Sequence, residues 1–343
     1  MKQTIENTAH TEPNGEILLP IGEVSALTGV NAVTLRAWQR RFGLVIPART
    51  PKGHRLYTSE NIQEIHEINA WLAKGVAISK VKPLLMSAAK SSFTEIVQTQ
   101  AIDLWCEQVT ALNTALFDFN QHKLQQILDD AFGLYPFQLV KEKLLQPWLN
   151  QLEDLVNERL DAELIIAWLK SELLNRVGGR HAFNGQAVTA RIAVVSLSRG
   201  AHTSLNSTRT NILFSLLLSL ELASLRVSVI DLGEQAMGSL PLLRGRLNVD
   251  ALLLIPDSNH SGSEQTEMLT VLEQMTFPCW FMGPFAPTLS FLSAFLASST
   301  TDLIGKMPSR LAGKVNRSRK HSGKMNTVNQ SEQINSEKNN DIS

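Results

Sequence analysis

The stretch Ile21-Gly-Glu-Val-Ser-Ala-Leu-Thr-Gly-Val-Asn-Ala-Val-Thr-Leu-Arg-Ala-Trp-Gln-Arg-Arg-Phe-Gly-Leu44, followed at once by Pro47-Ala-Arg-Thr-Pro-Lys-Gly-His-Arg-Leu-Tyr57, admits few folds. Val24 and Leu27 fall on one helical face, Thr28-Gly29-Val30 reads as a turn in which Gly takes positive φ freely, and Asn31 is a good N-cap for a second helix. In that second helix Leu35, Trp38 and Phe42 share one side, while Arg36 and Arg40 take the other with Arg41 at its flank. Gly43 stops the helix. Pro47 to Tyr57 then reads as two extended arms around Thr50-Pro51-Lys52-Gly53, a hairpin projecting Arg49, Lys52, His54 and Arg55. A helix narrow enough for the major groove, beside a basic ribbon that can lie along phosphates, is what binding to duplex DNA requires. A solvated arginine face alone would not bring the turn, the cap and the basic hairpin in this order.

The rest of the chain divides by texture. A length of 343 residues allows two or three domains, and 43% hydrophobic residues suffice for buried cores. Residues 1 to 16 read as a disordered N-terminus and 17 to 88 as the winged helix-turn-helix domain, whose third helix starts at Thr58-Ser59 and carries Ile62, Ile65, Ile68 and Leu72 at helical spacing. A fourth short helix spans about Ser79 to Ser87 despite Pro83. Residues 93 to 183 hold helical patterns at about Thr94 to Phe119, Gln121 to Phe132, Pro136 to Leu145 and Leu149 to Val177, the pattern of a four-helix bundle. From 188 to 300 short apolar runs at Ile192 to Ser196, Arg226 to Asp231, Ala251 to Ile255 and Cys279 to Met282 alternate with helical stretches at Asn206 to Ala223, Met237 to Leu247, Glu264 to Met275 and Leu289 to Ala297. Continuous apolar strands between helices predict a parallel sheet covered on both faces, a flavodoxin-like α/β domain. Residues 305 to 343 read as a disordered basic and polar tail, whose Lys306 to Lys324 holds seven Lys/Arg and no acid. The fold class is thus multi-domain α and α/β.

The net charge of zero hides a segregation: residues 17 to 90 hold ten Lys/Arg against four Asp/Glu, and residues 91 to 305 hold 13 against 22. A basic head precedes an acidic body. No signal peptide and no bilayer-length apolar run is seen, so the expectation is a cytoplasmic chain without membrane contact. The two cysteines, Cys106 and Cys279, have no metal-ligand spacing and are expected to be inert core thiols. Asp257, Ser258 and His260 share one loop, but neither a nucleophile elbow nor a Gly-rich phosphate loop accompanies them. Asp231 and Asp250 sit at strand edges, where carboxylates are structural, and no enzyme is expected.

Residues 21 to 86 resemble the N-terminal domain of the MerR family of bacterial transcription regulators, whose signature is carried by Thr34-Leu35-Arg36-Ala37-Trp38-Gln39-Arg40-Arg41-Phe42-Gly43-Leu44 and Gly53-His54-Arg55-Leu56-Tyr57. The Trp and the double Arg are similar to one branch, the light- and cobalamin-dependent CarH and LitR regulators together with MlrA. The resemblance implies that Thr34, Arg36, Arg40 and Arg41 face DNA from the recognition helix and that His54, Arg55 and Tyr57 contact the backbone from the wing. It further implies a dimer on an inverted repeat in promoter DNA, acting with RNA polymerase by untwisting an over-long spacer, or repressing directly. No sustained heptad is present, so dimerisation is expected through the bundle or the α/β domain.

A bundle followed by a flavodoxin-like domain is also the arrangement of cobalamin modules in that branch. Such modules place Asp-x-His-x-x-Gly after the first strand, the His ligating cobalt, the Asp orienting it and the Gly admitting the corrin. Here the matching residues are Gly200-Ala201-His202-Thr203-Ser204-Leu205, and His202 alone remains. The bundle lacks the Trp and Glu-His pair of the upper face, the matching segment carrying Trp168 near the place of the His. Gly283-Pro284 replaces the Gly-Gly beside the nucleotide tail, and Pro256 to His260 replaces the Ser-rich loop. His202 is therefore read as a loop histidine and no cofactor is expected. Two alternatives accompany this reading: a cobalamin or other small-molecule sensor, and a protein-interaction module that controls DNA binding.

Overall fold

Strand β1 (His10–Thr11) pairs antiparallel with β2 (Ile17–Pro20), which pairs with β4 (Arg55–Tyr57), and β4 in turn pairs with β3 (Ala48–Arg49), giving the order β1-β2-β4-β3. This computed structural model describes residues 10–11, 17–86, 94–183, 190–198, 204–258 and 260–307. The chain forms two compact units, Met1–Leu169 and Lys170–Ser343. The pairing of β1 corrects the expectation of disorder for His10 and Thr11, since backbone groups at the edge of β2 offer them partners.

In the first unit, helix α1 (Ile21–Thr28) turns at Gly29 into α2 (Ala32–Ala37), which continues as a π-helical turn over Trp38–Phe42. Helix α3 (Ser59–Ala73) starts with a capping box between Thr58 and Asn61, and α4 (Ile78–Met86) keeps its helical path through Pro83. Val24, Leu35, Trp38, Ile65, Ile68 and Val81 meet in the core of this head, all within 1% of full burial. The long helices follow: α5 (Thr94–Phe117), α6 (Gln121–Leu134), α7 (Phe137–Val140) leading through a π-helical turn at Lys141–Leu145 into α8 (Gln146–Asn157), and α9 (Ala162–Phe183), whose residues from Lys170 on are counted in the second unit. Asn120 caps α6 by accepting the Lys123 N–H at 3.0 Å, and Leu124, Leu128 and Ala131 form its buried stripe. Pro147 is not the break that the sequence pattern predicts. The preceding π turn widens the helix where the proline ring would otherwise strike a carbonyl, so the chain stays helical from Phe137 to Asn157. The break falls instead at Glu158 to Asp161, inside the predicted fourth helix.

The second unit is a four-stranded parallel sheet of β5 (Ala190–Leu197), β6 (Val227–Gln235), β7 (Ala251–Ile255) and β8 (Cys279–Phe281) in the order β6-β5-β7-β8. The first strand in the interior with the second at the edge is the flavodoxin-like order. Strand alternation sorts side chains to two faces. Ile192, Val194, Leu253 and Ile255 pack with Leu218 and Leu222 of α10 (Leu205–Ser224), while Ala193, Val195, Leu252 and Leu254 pack with Met268 and Val271 of α11 (Gly262–Gln274). Two predicted helices are shorter and tighter. Met237–Leu243 is a 3-10 helix because Pro241 has no N–H for an α-helical ladder, and the segment before Ala297 is a pair of 3-10 turns, Ala286–Thr288 and Ser290–Phe295. A helix not anticipated in the sequence, α12 (Thr300–Lys306), is capped by Ser299 and buries Leu303 and Met307 in the α10-side core. Lys306, counted with the tail, is anchored there by Asp302 at 2.8 Å and by the Leu296 carbonyl at 2.7 Å.

Candidate nucleic-acid interface

Thr28 closes α1 by donating its hydroxyl to the Val24 carbonyl at 2.8 Å, and Gly29, at φ 71°, returns its N–H to the Ser25 carbonyl. A side chain at that φ would be strained, so the tight turn requires glycine. Two residues later the Asn31 Oδ1 accepts the Thr34 N–H at 2.8 Å and starts α2. Leu35 and Trp38 anchor the helix inward, and the Trp38 indole N–H donates to the Leu134 carbonyl at the end of α6 at 2.8 Å. Arg36, Arg40 and Arg41 point outward and are exposed. The π turn ends at Gly43, whose N–H reaches the Gln39 carbonyl.

The wing is as compact. Arg49 stands opposite Arg55 in the β3–β4 register, Thr50 donates its N–H to the His54 carbonyl at 2.9 Å, and Gly53, at φ 82°, donates to Thr50 at 2.8 Å. The turn holds Lys52 and His54 in solvent beside the exposed Arg49. Arg55 is half-buried because its Nε donates to the Gln39 Oε1 at 2.9 Å, a brace between wing and recognition helix. The fold thus gathers Arg36, Arg40, Arg41, Arg49, Lys52 and His54 as exposed cationic or titratable groups, and ties the two elements that carry them.

Two predicted contact residues are placed otherwise. Thr34 and Tyr57 are both 0% exposed, so neither side chain can touch DNA in this conformation. Thr34 faces inward with Leu35 and Trp38, and Tyr57 lies on the inner face of β4 beside the buried Leu56. Among the described residues neither Thr34 Oγ1 nor Tyr57 Oη has a hydrogen-bond partner. Burial raises the Tyr57 phenol above its ordinary range, opposed by the guanidinium groups of Arg55 and Arg36. Two residues that the sequence reading passed over join the surface: Gln39, the brace, and Val33, which is 54% exposed. Val33 precedes Arg36 by three residues and so shares its face, a position that helical spacing alone could have flagged.

The second unit organises its polar loops internally. Asp257 is fully buried and accepts from the Ser207 hydroxyl and, at 2.7 Å, from the Ser258 N–H. Asp231 meets Lys170 at 3.0 Å, and the Asp250 Oδ2 accepts the Arg191 N–H at 2.8 Å. These carboxylates hold loops and strand ends. His202 lies outside the described residues, while Leu205, where the cobalamin pattern has Gly, opens α10 with 65% exposure. Among the described residues no cluster of His, Cys, Asp and Glu could hold a metal ion, and no helix is long and apolar enough to cross a membrane. Cys279 is buried and its thiol is pushed up to about 12 by desolvation, whereas Cys106 is exposed, against the expectation of a core thiol.

Comparison with known proteins agrees with the geometry of the head. Residues 19–88 match the MerR HTH family regulatory protein profile. The chain is 37% identical to the HTH-type transcriptional regulator MlrA of Escherichia coli over 160 residues, 47% of this chain and 61% of that protein. It is 27% identical to the HTH-type transcriptional repressor CarH of Myxococcus xanthus over 176 residues, 47% of this chain and 58% of that protein. The chain therefore spans little more than half the length of these relatives. A cobalamin-binding protein from Desulfitobacterium hafniense is similar in structure at a TM-score of 0.26 and 12% identity, covering 57% of this chain and 94% of that one, too distant to bear on function. Residues 19–88 are thus a MerR-type helix-turn-helix domain, and over about half of its length the chain is similar to the transcriptional regulators MlrA and CarH.

Proposed function

We propose that this protein is a sequence-specific transcription regulator that binds an inverted repeat in promoter DNA as a dimer, and that it has no catalytic role. The observation that carries this reading is the braced pair of elements: Arg36, Arg40 and Arg41 on one helix and Arg49, Lys52 and His54 on the adjoining hairpin, tied by Arg55 to Gln39. Arg36 and Arg40 have the length and donor geometry to read guanine edges, Val33 can meet a thymine methyl, and the hairpin cations can neutralise phosphates. RNA polymerase is the partner at an activated promoter, and the second unit, with the long helices before it, supplies dimerisation and control. The residues do not fit a resident cobalamin. Gly200 stands where the cobalamin pattern has the carboxylate that orients the His, and Leu205 stands where it has the Gly that admits the corrin. Genome-wide binding followed by footprinting of one strong site, with and without adenosylcobalamin, tests the whole reading. A two-fold symmetric footprint unchanged by the corrin is expected, and the absence of any discrete protected site would overturn it.

A further inference from the structure

A cleft of about 700 Å3 opens within the first unit, between the turn that ends α3 and the helices α5 and α8. Its volume is in the range that encloses small organic ligands. Trp105 and Val109 of α5 form an apolar wall, Lys74 stands on the α3 side, Lys143 and Gln151 on the opposite side, and Cys106 at the edge. The polar side of this lining is made of donors. Lys74 is fixed above the Trp71 ring, its Nζ 4.8 Å from the ring centre. The Gln151 Oε1 accepts from Asn113 at 3.3 Å, which leaves the amide NH2 to donate. Lys143 sits in the π-helical turn, a helical irregularity that recurs at functional sites. Among the described residues no carboxylate lines the cleft.

An apolar wall flanked by two lysines suits a flat apolar body that carries one negative charge: the ring is removed from water while the charge keeps partners. We propose that this cleft binds a small amphipathic organic anion, an aromatic carboxylate or sulfonate. The site is independent of the DNA-binding reading and distinct from the sheet-end loops of the second unit. Packing connects it indirectly to the recognition helix. Trp105 meets Tyr135 edge to face with centroids 5.0 Å apart, and the neighbouring Leu134 carbonyl receives the Trp38 indole N–H. An occupant therefore touches both the head and the long helices that hold it.

The full-length protein can be tested with two fluorescent probes, anilinonaphthalene sulfonate and phenyl naphthylamine, which share rings and differ by the sulfonate. The exposed Cys106 reports occupancy, because Cys279 is buried and the chain holds two cysteines in all. Saturable binding of the sulfonate, on the order of tenfold tighter than the neutral probe, is expected. Alkylation of Cys106 by N-ethylmaleimide should slow in proportion to occupancy. Lys143→Glu, a change at an exposed residue, should abolish the preference for the sulfonate, and Val109→Trp, which fills the cleft, should remove both probes. Equal affinity for the two probes, an alkylation rate unaffected by bound sulfonate, or native preference in Lys143→Glu would each overturn the proposal.

Discussion

Replacing Trp38 separates two contributions that the structure combines in one side chain. The indole is fully buried between the head and the end of α6, and its N–H is bonded to the Leu134 carbonyl at 2.8 Å. A side chain of this size removes roughly 200 Å2 from water, worth about 5 kcal/mol at about 25 cal/mol per Å2. Trp38→Ala should therefore cost on the order of 3 to 5 kcal/mol, the range for aromatic truncations in a core. Trp38→Phe keeps most of the ring but leaves the Leu134 carbonyl without its donor, which should cost about 1 to 3 kcal/mol. Urea unfolding of the native protein and both variants, followed by circular dichroism, gives the differences from the midpoints, with the slope of the transition unchanged if the same surface is exposed. Trp38→Phe indistinguishable from native protein would refute the claim that this hydrogen bond joins the recognition helix to α6.

Other consequences can be checked separately. Arg40→Ala should reduce discrimination between a site and its point variants by about 1 to 3 kcal/mol, whereas Lys52→Ala should weaken all sequences alike and lower the slope of log affinity against log salt by about 1, both read from DNA titrations at several salt concentrations. Removing the cap of the recognition helix in Asn31→Ala should cost about 1 kcal/mol in the same urea assay, while Asn31→Asp should recover most of it. The Cys279 thiol, raised from 9.0 to about 12 by burial, contributes stability that is present below about pH 9 and lost as pH rises through about 12, because the unfolded chain ionises first. Cys279→Ser should flatten that alkaline part of a pH–stability curve. Asp257→Ala should cost about 1.5 to 3 kcal/mol by stranding Ser207 and the Ser258 N–H, and thermal unfolding of the second unit would measure it.

The features legible in the sequence are those whose chemistry is local. Gly29, Asn31, Gly43 and Gly53 specify turns and a cap within a few residues, so the helix, the turn and the hairpin follow from the chain in order. The strands of the parallel sheet were equally plain, because burial on both faces makes them continuous apolar runs. Pro147 reads as a break because a proline normally ends a helix, and the π turn that accommodates it leaves no mark in hydrophobic spacing. Helix α12 is not legible in the sequence because its few apolar residues gain meaning only against α10.

By itself, then, the sequence determined the helix-turn-helix with its wing and the order of its domains, since periodicity, caps and turn residues act over distances of a few residues. The tertiary structure alone decided that Thr34 and Tyr57 turn inward, that Arg55 braces Gln39, that Cys106 is exposed, and that Lys74 and Lys143 face one cleft. Burial and partnership are properties of what packs against a residue. The residues brought together here, Trp38 bonded to Leu134 and Lys74 and Lys143 lining one cleft, come from segments whose separation along the chain carries no local signal of their meeting.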